Sequence, residues 1–334
     1  MSEFEVSVEE EVSDVKMRRP HVVVLGAGAS RQTCPTGDKN GRSLPLMKDF
    51  VDVVNLRSLL VGWHVNPDEN FEKIFSDFHK NGDTARITEI EQRVETYFKS
   101  LEIPDSPTVY DHLVLSLRGT DLIATFNWDP LLLQAYIRSR NAGLLLPQLA
   151  FLHGNVAVGY CPEHSIVGGA DKECKTCGKK YQRTSLLYPV EQKDYAKDLF
   201  IANEWKQLKS GFKDAFMITI FGYSGPKTDE EAIEAMKEAW GSKDERAMEQ
   251  IAFITNQLEE EVTEAWEPFV HTHHYEVDAS FYDSWIAKHP RRTGEAYLNQ
   301  YLEAKFISDN PIPQMLGFPD IWNWYGQFKA AEGR

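Results

Sequence analysis

Short apolar runs that stop abruptly at small or polar residues punctuate the chain. Val22-Val23-Val24-Leu25 is continuous and mostly β-branched, and it ends at Gly26-Ala27-Gly28. A run without polar alternation marks a strand buried on both faces, as in a parallel sheet. Asp121-Leu122-Ile123-Ala124-Thr125-Phe126, Gln148-Leu149-Ala150-Phe151-Leu152 and Phe216-Met217-Ile218-Thr219-Ile220-Phe221 read the same way. Between the strands, apolar residues recur at helical spacing over Leu46 to Leu60, Phe71 to His79, Ile87 to Leu101, Thr108 to Leu117 and Pro130 to Arg138. Alternating strands and helices predict an α/β fold, a doubly wound parallel sheet with helices on both faces.

Other stretches break the alternation. Residues 1–20 carry acidic side chains and little periodicity, and are expected to form a flexible acidic arm. The polar interval of about 63–104 holds no strand candidate and reads as a helical insertion. Thr228 to Trp266 reads as an acidic helical segment, with Asp229-Glu230-Glu231 where the helix dipole favours negative charge. Residues 266–334 are rich in aromatic side chains, a segment of unassigned role expected to pack on the sheet or at an oligomer interface. The main domain is thus expected over 21–154 and 186–265.

Composition narrows the function. The 334 residues hold 36 Lys+Arg against 51 Asp+Glu, a formal charge of −15. A binder of nucleic-acid backbone needs a basic face, so no nucleic-acid partner is expected. No run reaches the roughly 18 apolar residues of a membrane span, and the acidic start does not suit a secretory signal, so a cytoplasmic protein is expected.

Three of the four cysteines crowd together. Cys161-Pro162-Glu163-His164 is followed, nine residues on, by Cys174-Lys175-Thr176-Cys177. Two ligand pairs with two-residue spacers suit a tetrahedral, structural zinc site of three thiolates and one imidazole. A zinc ribbon module is therefore expected over 155–185; a plain cysteine pair beside an exposed His164 is the alternative.

The strand ends carry the candidate chemistry. Gly26-Ala27-Gly28-Ala29-Ser30 lets backbone amides and a helix start approach a pyrophosphate, although the third glycine of the dinucleotide fingerprint is missing. Thr125-Phe126-Asn127-Trp128-Asp129 turns an amide and a carboxylate toward the same sheet edge; helix capping ahead of Pro130 explains one of them better than both. His153-Gly154 and Gly222-Tyr223-Ser224 end two further strands. Ligands of open α/β sheets bind where such ends converge. His271, His273 and His274 lack a metal-ligand pattern, and Arg291-Arg292 are expected to be solvated or ion-paired.

In this order, the five motifs from Val22 to Ser224 resemble the sirtuin family. The resemblance implies a Rossmann-like NAD-binding domain with a small zinc module, cleaving the bond between nicotinamide and ribose. It implies that Gly26, Ala27, Gly28 and Ser30 line the phosphates, that Thr125, Asn127 and Asp129 meet the nicotinamide ribose, and that Gly222, Tyr223 and Ser224 meet the adenosine side. Asn127 and His153 are the implied catalytic pair, His153 as general base. NAD is the implied substrate, and Zn2+ at Cys161, His164, Cys174 and Cys177 the structural metal.

The chain also departs from the protein-deacylating branch. Their Gly-Ile-Pro-Asp-Phe-Arg element is replaced by Arg31-Gln32-Thr33-Cys34-Pro35 and Gly41-Arg42-Ser43-Leu44-Pro45. Leu186-Leu187-Tyr188-Pro189-Val190 matches poorly the strand that pairs with an acyl-lysine peptide. Phe126, Trp128 and the Phe221-Gly222-Tyr223-Ser224 ending are closer to sirtuin-like NAD hydrolases of bacterial antiphage defence. NAD hydrolysis to nicotinamide and ADP-ribose is the expected activity. Deacylation of an acyl-lysine protein substrate is the alternative, and a nucleotide-sensing module, working through a regulatory protein partner, the third.

Overall fold

The computed structural model describes residues 4–189, 195, 198–226, 229–242, 245–246, 248–267, 269 and 275–333. His271, His273, His274, Val190 and Thr228 lie outside the described residues. The central sheet consists of β1 (His21–Leu25), β2 (Leu122–Thr125), β3 (Gln148–Phe151), β4 (Met217–Phe221), β5 (Gln250–Ile254) and β6 (Tyr275–Asp278). All neighbours pair in parallel, in the order β6-β5-β4-β1-β2-β3. This is the doubly wound arrangement, with its topological switch point between β1 and β4.

Register brings the strand ends level. Leu25 lies opposite Thr125 on one side and Phe221 on the other, Thr125 opposite Phe151, and Phe221 opposite Ile254. The five loops that follow therefore open onto one edge of the sheet.

Period-two alternation divides the core into two layers. Val23, Leu25 and Ile123 face one side, where Phe71, Phe75, Ile90, Val94 and Phe98 of the helices Phe71–Lys80 and Thr84–Lys99 pack. The helical insertion is thus a wall of the main core. Val22, Val24, Leu122, Ala124, Ile218 and Ile220 face the other side, against Trp205, Leu208 and Phe212 of the helix Leu199–Asp214 and Met236 and Trp240 of Glu230–Trp240. The expected helix over Leu46 to Leu60 is divided into a 3₁₀ turn, Met47–Asp49, and the helices Phe50–Val53 and Arg57–Gly62, with Asn55 between them at φ 60°.

Three expectations need correction. The segment from Thr228 to Trp266 is not one helix: Gly241 at φ 92° ends Glu230–Trp240, and β5 follows before the helix Glu259–Ala265. Its run Ile251-Ala252-Phe253-Ile254 is as apolar as the other strands, but abundant flanking glutamates obscured it. The main domain does not stop at residue 265: residues 266–334 pack on the sheet, one of the two expected placements, and also extend it by supplying β6, with Phe281 stacked on Phe221, ring centroids 6.1 Å apart. The arm is docked: Glu5–Val6 pairs with Phe306–Ile307, and the helix Val8–Ser13 buries Val12 among Leu115, Ile321, Tyr325 and Phe328. Glu11 Oε1 meets His289 Nδ1 at 2.8 Å, both side chains buried. Alternation of Glu9 and Glu10 with Val8 and Val12 gives this short helix one apolar face.

Arg291 and Arg292 are ion-paired as expected, but in the interior. Both guanidiniums are closed off from solvent and share the Glu332 carboxylate at 2.7 and 3.0 Å. No helix among the described residues is long and apolar enough to cross a membrane.

Candidate functional site

Strand ends meet at interlocking glycines. Gly28 N–H donates to Gly222 O at 2.9 Å, and Gly26 N–H to Phe221 O at 2.9 Å. Gly222 has φ 63°, and a Cβ on it would lie 2.1 Å from Ala29 N. Only a residue without a side chain tolerates both that dihedral and that approach. The β1 and β4 loops thus cross in contact, directly at the switch point.

Beside the crossing lies a cavity of about 720 Å³. It is lined by Gly26, Ala27, Gly28, Ser30, Asn127, Asp129, His153, Gly222, Tyr223 and Ser224. These are all the expected catalytic and nucleotide residues except Thr125. Thr125 is set back, its Oγ1 accepting the Asn127 N–H at 3.0 Å. It shapes the turn rather than the wall.

The glycine turn is less open to phosphate than its sequence suggests. The amides of Gly26 and Gly28 already have acceptors, and Ala29 N–H donates to Gly26 O at 3.0 Å. The Ser30 hydroxyl is likewise engaged, donating to Asp129 Oδ2 at 2.6 Å.

Asn127 is held by its amide nitrogen. Nδ2 donates to Gly26 O at 2.8 Å and Ser30 Oγ at 2.9 Å, with Tyr110 OH at 3.2 Å. Gly26 O can only accept, so the amide has a single sensible orientation. Oδ1 is the atom left for the cavity. Asp129 is 4% exposed, and burial pushes its carboxyl above the usual range, opposed by the Ser30 hydrogen bond. Leu131 N–H also donates to it, at 3.1 Å.

His153 sits at the end of β3 between rings. The Phe126 ring meets it edge-on at 4.7 Å, and Tyr195 lies parallel at 5.9 Å. Phe126 in turn stacks on Tyr223 at 4.3 Å, whose hydroxyl donates to Asp229 at 2.9 Å. Burial, and then Asp229, raise the Tyr223 phenol well above its ordinary value.

Residues outside the motifs complete the wall. Leu44, Pro45, Leu46, Met47, Lys48 and Phe50 line one side, and Ile254, Thr255, Asn256 and Gln257 another. The second group follows β5, which the acidic reading of that region had hidden. Its signal was an apolar run ending in Thr-Asn, the same strand-end pattern as Thr125-Phe126-Asn127. Tyr110 had no signal, because only the fold brings its helix under the β1 and β2 loops.

Cys161, His164, Cys174 and Cys177 come together, with their ligand atoms all within 4.8 Å of one another. Cys161 Sγ lies 3.4 Å from His164 Nδ1 and 3.7 Å from Cys177 Sγ, and Cys174 Sγ lies 3.7 Å from His164 Nδ1. Zinc bonds of about 2.3 Å to sulfur and about 2.1 Å to nitrogen at tetrahedral angles place ligand atoms roughly 3.5 to 3.8 Å apart. The four residues therefore fit a closed, structural zinc site.

The module is a three-stranded antiparallel sheet, Val158–Cys161, Ile166–Gly169 and Gln182–Arg183. The segment after its return strand grips the loop of His153 and Asn155. Thr184 Oγ1 accepts from Asn155 N–H at 3.1 Å and donates to Asn155 O at 2.9 Å, and Leu187 N–H donates to His153 O at 3.0 Å.

No family model matches this chain, and no curated protein does. Among solved structures, a Sir2 homologue in complex with ADP-ribose is 13% identical over 100% of this chain and 99% of that one, with a TM-score of 0.44. A Sir2 homologue–NAD complex is 14% identical over 89% of this chain and 93% of that one, TM-score 0.37. A Sir2 complex with a deacetylated p53 peptide and 3′-O-acetyl ADP-ribose is 13% identical over 88% and 96%, TM-score 0.39. The chemistry must be read from the residues of this chain.

Proposed function

We propose that this chain cleaves the nicotinamide–ribose bond of NAD with water, giving nicotinamide and ADP-ribose. One observation carries the reading. Asn127, Asp129, His153 and the two glycine turns, scattered over some 200 residues of sequence, converge on one cavity at the switch point of a doubly wound sheet. The cavity is within the usual size range for cofactor sites.

Each residue then has a role. As the bond between ribose C1′ and the ring nitrogen breaks, the electron pair leaves with nicotinamide and positive charge develops on the sugar. Asn127 Oδ1 is an oriented acceptor for a ribose hydroxyl. Asp129 supplies negative charge at the same wall. Water adds to C1′, and His153 takes its proton as the general base. Cys161, His164, Cys174 and Cys177 would hold a zinc ion, which would supply structural stability to the module that braces the His153 loop.

Hydrolysis is favoured over deacylation by the segment after the zinc module. Leu187 N–H is already bonded to His153 O. Tyr188 is buried, stacked on Phe75 at 4.9 Å and packed at a tilt against Trp128 at 4.8 Å. These positions are occupied by the protein's own packing, which disfavours a substrate peptide adding there as a strand.

The test is nicotinamide release from NAD by the purified, zinc-loaded protein, with and without an acetyl-lysine peptide, followed by chromatography and mass spectrometry. Release without peptide, with ADP-ribose as co-product, is expected. Release only with peptide, alongside O-acetyl-ADP-ribose, would replace the reading with deacylation. No release, with NAD still bound, would make the pocket a nucleotide sensor.

A further inference from the structure

Tyr110 belongs to none of the motifs, yet it ends the hydrogen-bonded chain behind the cavity. It is fully buried on the helix Val109–Ser116, its hydroxyl 2.8 Å from Ser30 Oγ. Ser30 Oγ has one hydrogen and two lone pairs. The hydrogen goes to Asp129 Oδ2, and one lone pair takes an Asn127 amide hydrogen. The remaining lone pair takes the Tyr110 proton, so donation runs from Tyr110 to Ser30 to Asp129. Reversal requires a protonated Asp129 donating to Ser30, with Ser30 donating to Tyr110. The two orders differ in whether the cavity wall carries a negative charge.

We propose that Tyr110 is a positioning residue: by donating to Ser30 it holds the network in the order that keeps Asp129 a carboxylate. Its catalytic consequence rests on the NAD-cleavage reading above. The physical basis is polarisation along a chain of hydrogen bonds, each strengthening the next in a buried setting.

The surroundings of Asp129 leave this control to the chain. Tyr110 faces it from one helix, Ser30 from the middle of another, Ala27–Thr33, and Cys34 from the C-cap of that second helix. Burial pushes the Cys34 thiol up to about 12, so it brings no charge near neutral pH. Asp111, further back, is engaged by the Arg138 guanidinium. Asn155 Nδ2 donates to the Asp129 main-chain oxygen, not to the carboxylate. Among the described residues no cation is paired with Asp129, so hydrogen bonds oppose its desolvation.

The experiment reads the carboxyl directly. Protein labelled with ¹³C at aspartate side-chain carboxyls is titrated by NMR, the Asp129 signal being assigned by its loss in Asp129→Asn. In Tyr110→Phe the ionisation midpoint of Asp129 is expected to rise by about one unit, a tenfold gain in proton affinity. The acid limb of nicotinamide release should move by the same amount, with KM for NAD at neutral pH changed by no more than about twofold. An unmoved midpoint overturns the proposal.

Because the titration needs no turnover, a wild-type protein that leaves NAD intact sinks the functional reading without deciding the role of Tyr110. If Tyr110→Phe does not fold, biosynthetic 3-fluorotyrosine supplies a stronger donor. The Asp129 midpoint should then fall, and failure to fall counts against the proposal.

Discussion

Asn127 has its amide nitrogen engaged on three sides, which makes its removal a narrow test. Asn127→Ala and His153→Ala are each expected to lower nicotinamide release by about a hundredfold or more. Affinity for ADP-ribose, measured by calorimetry, should change by less than about tenfold. Unchanged turnover in either variant would remove that residue from the mechanism.

A second residue makes a test of stability. Glu204 is buried beside β3, its Oε2 accepting the Phe151 N–H at 2.7 Å. Burial pushes its carboxyl up to about 7, against that hydrogen bond. A carboxyl raised on folding is held preferentially as the neutral acid. Its contribution is complete at low pH, below the unfolded value, and is lost as pH rises through about 7. Glu204→Gln keeps an acceptor for Phe151 but carries no charge. It should be more stable than wild type near about pH 8, by at most about 3 kcal/mol, and nearly equal near about pH 4. Urea melts at the two pH values decide this.

The strand-end residues were legible because buried parallel strands announce themselves and ligands gather at their ends. Tyr110 was not, since its place depends on a helix crossing under two loops remote in sequence.

At the level of elements, the cysteine–histidine module and the His153 loop form one mechanical unit. Chelation should release one zinc per chain and raise amide exchange across residues 155–187, read by mass spectrometry. β1 and β4, both buried throughout, should stay protected. The same treatment should depress nicotinamide release, because Thr184 and Leu187 no longer hold Asn155 and His153. Unaltered exchange in the loop would detach the metal from the site.

Elements also show where reading the sequence fails. The ribbon was visible because thiolate and imidazole spacing is chemical and local. β5 was hidden because its five residues lie between two glutamate-rich helices, and composition averaged over that window favours helix. β6 has the polar residues Glu276 and Asp278 in its four-residue run, as an edge strand permits, and so lacked the continuous apolar signal.

Across the whole molecule, both ends of the chain are gathered onto one buried pair of arginines. Arg291 donates to the main-chain oxygens of Leu115, Leu117 and Leu145, while Arg292 donates to Val12 O. Glu332 is ion-paired with both. Glu332→Ala leaves two guanidiniums in the interior without their shared carboxylate, and is expected to cost about 3 to 5 kcal/mol. Equilibrium unfolding checks the size, and a change under about 1 kcal/mol would mean that water reaches the pair. The docking of the N-terminal residues was missed because their partners, His289, Arg292 and Phe306, lie almost the length of the chain away.

The pairing of β1 with β4 has a further consequence during synthesis. His21 meets Met217 only after nearly two hundred more residues have been made. At the usual elongation rates of about 5 to 20 residues per second, one edge of β1 waits roughly ten to forty seconds for its neighbour. The nascent half-sheet must be shielded from other chains over that time, since an unpaired strand edge recruits strands. The walls supplied by Gly222, Tyr223, Ser224 and Thr255 do not yet exist either. A ribosome-bound fragment ending before β4 therefore has no complete pocket, and the cavity at the strand ends closes only once translation has passed the fifth strand.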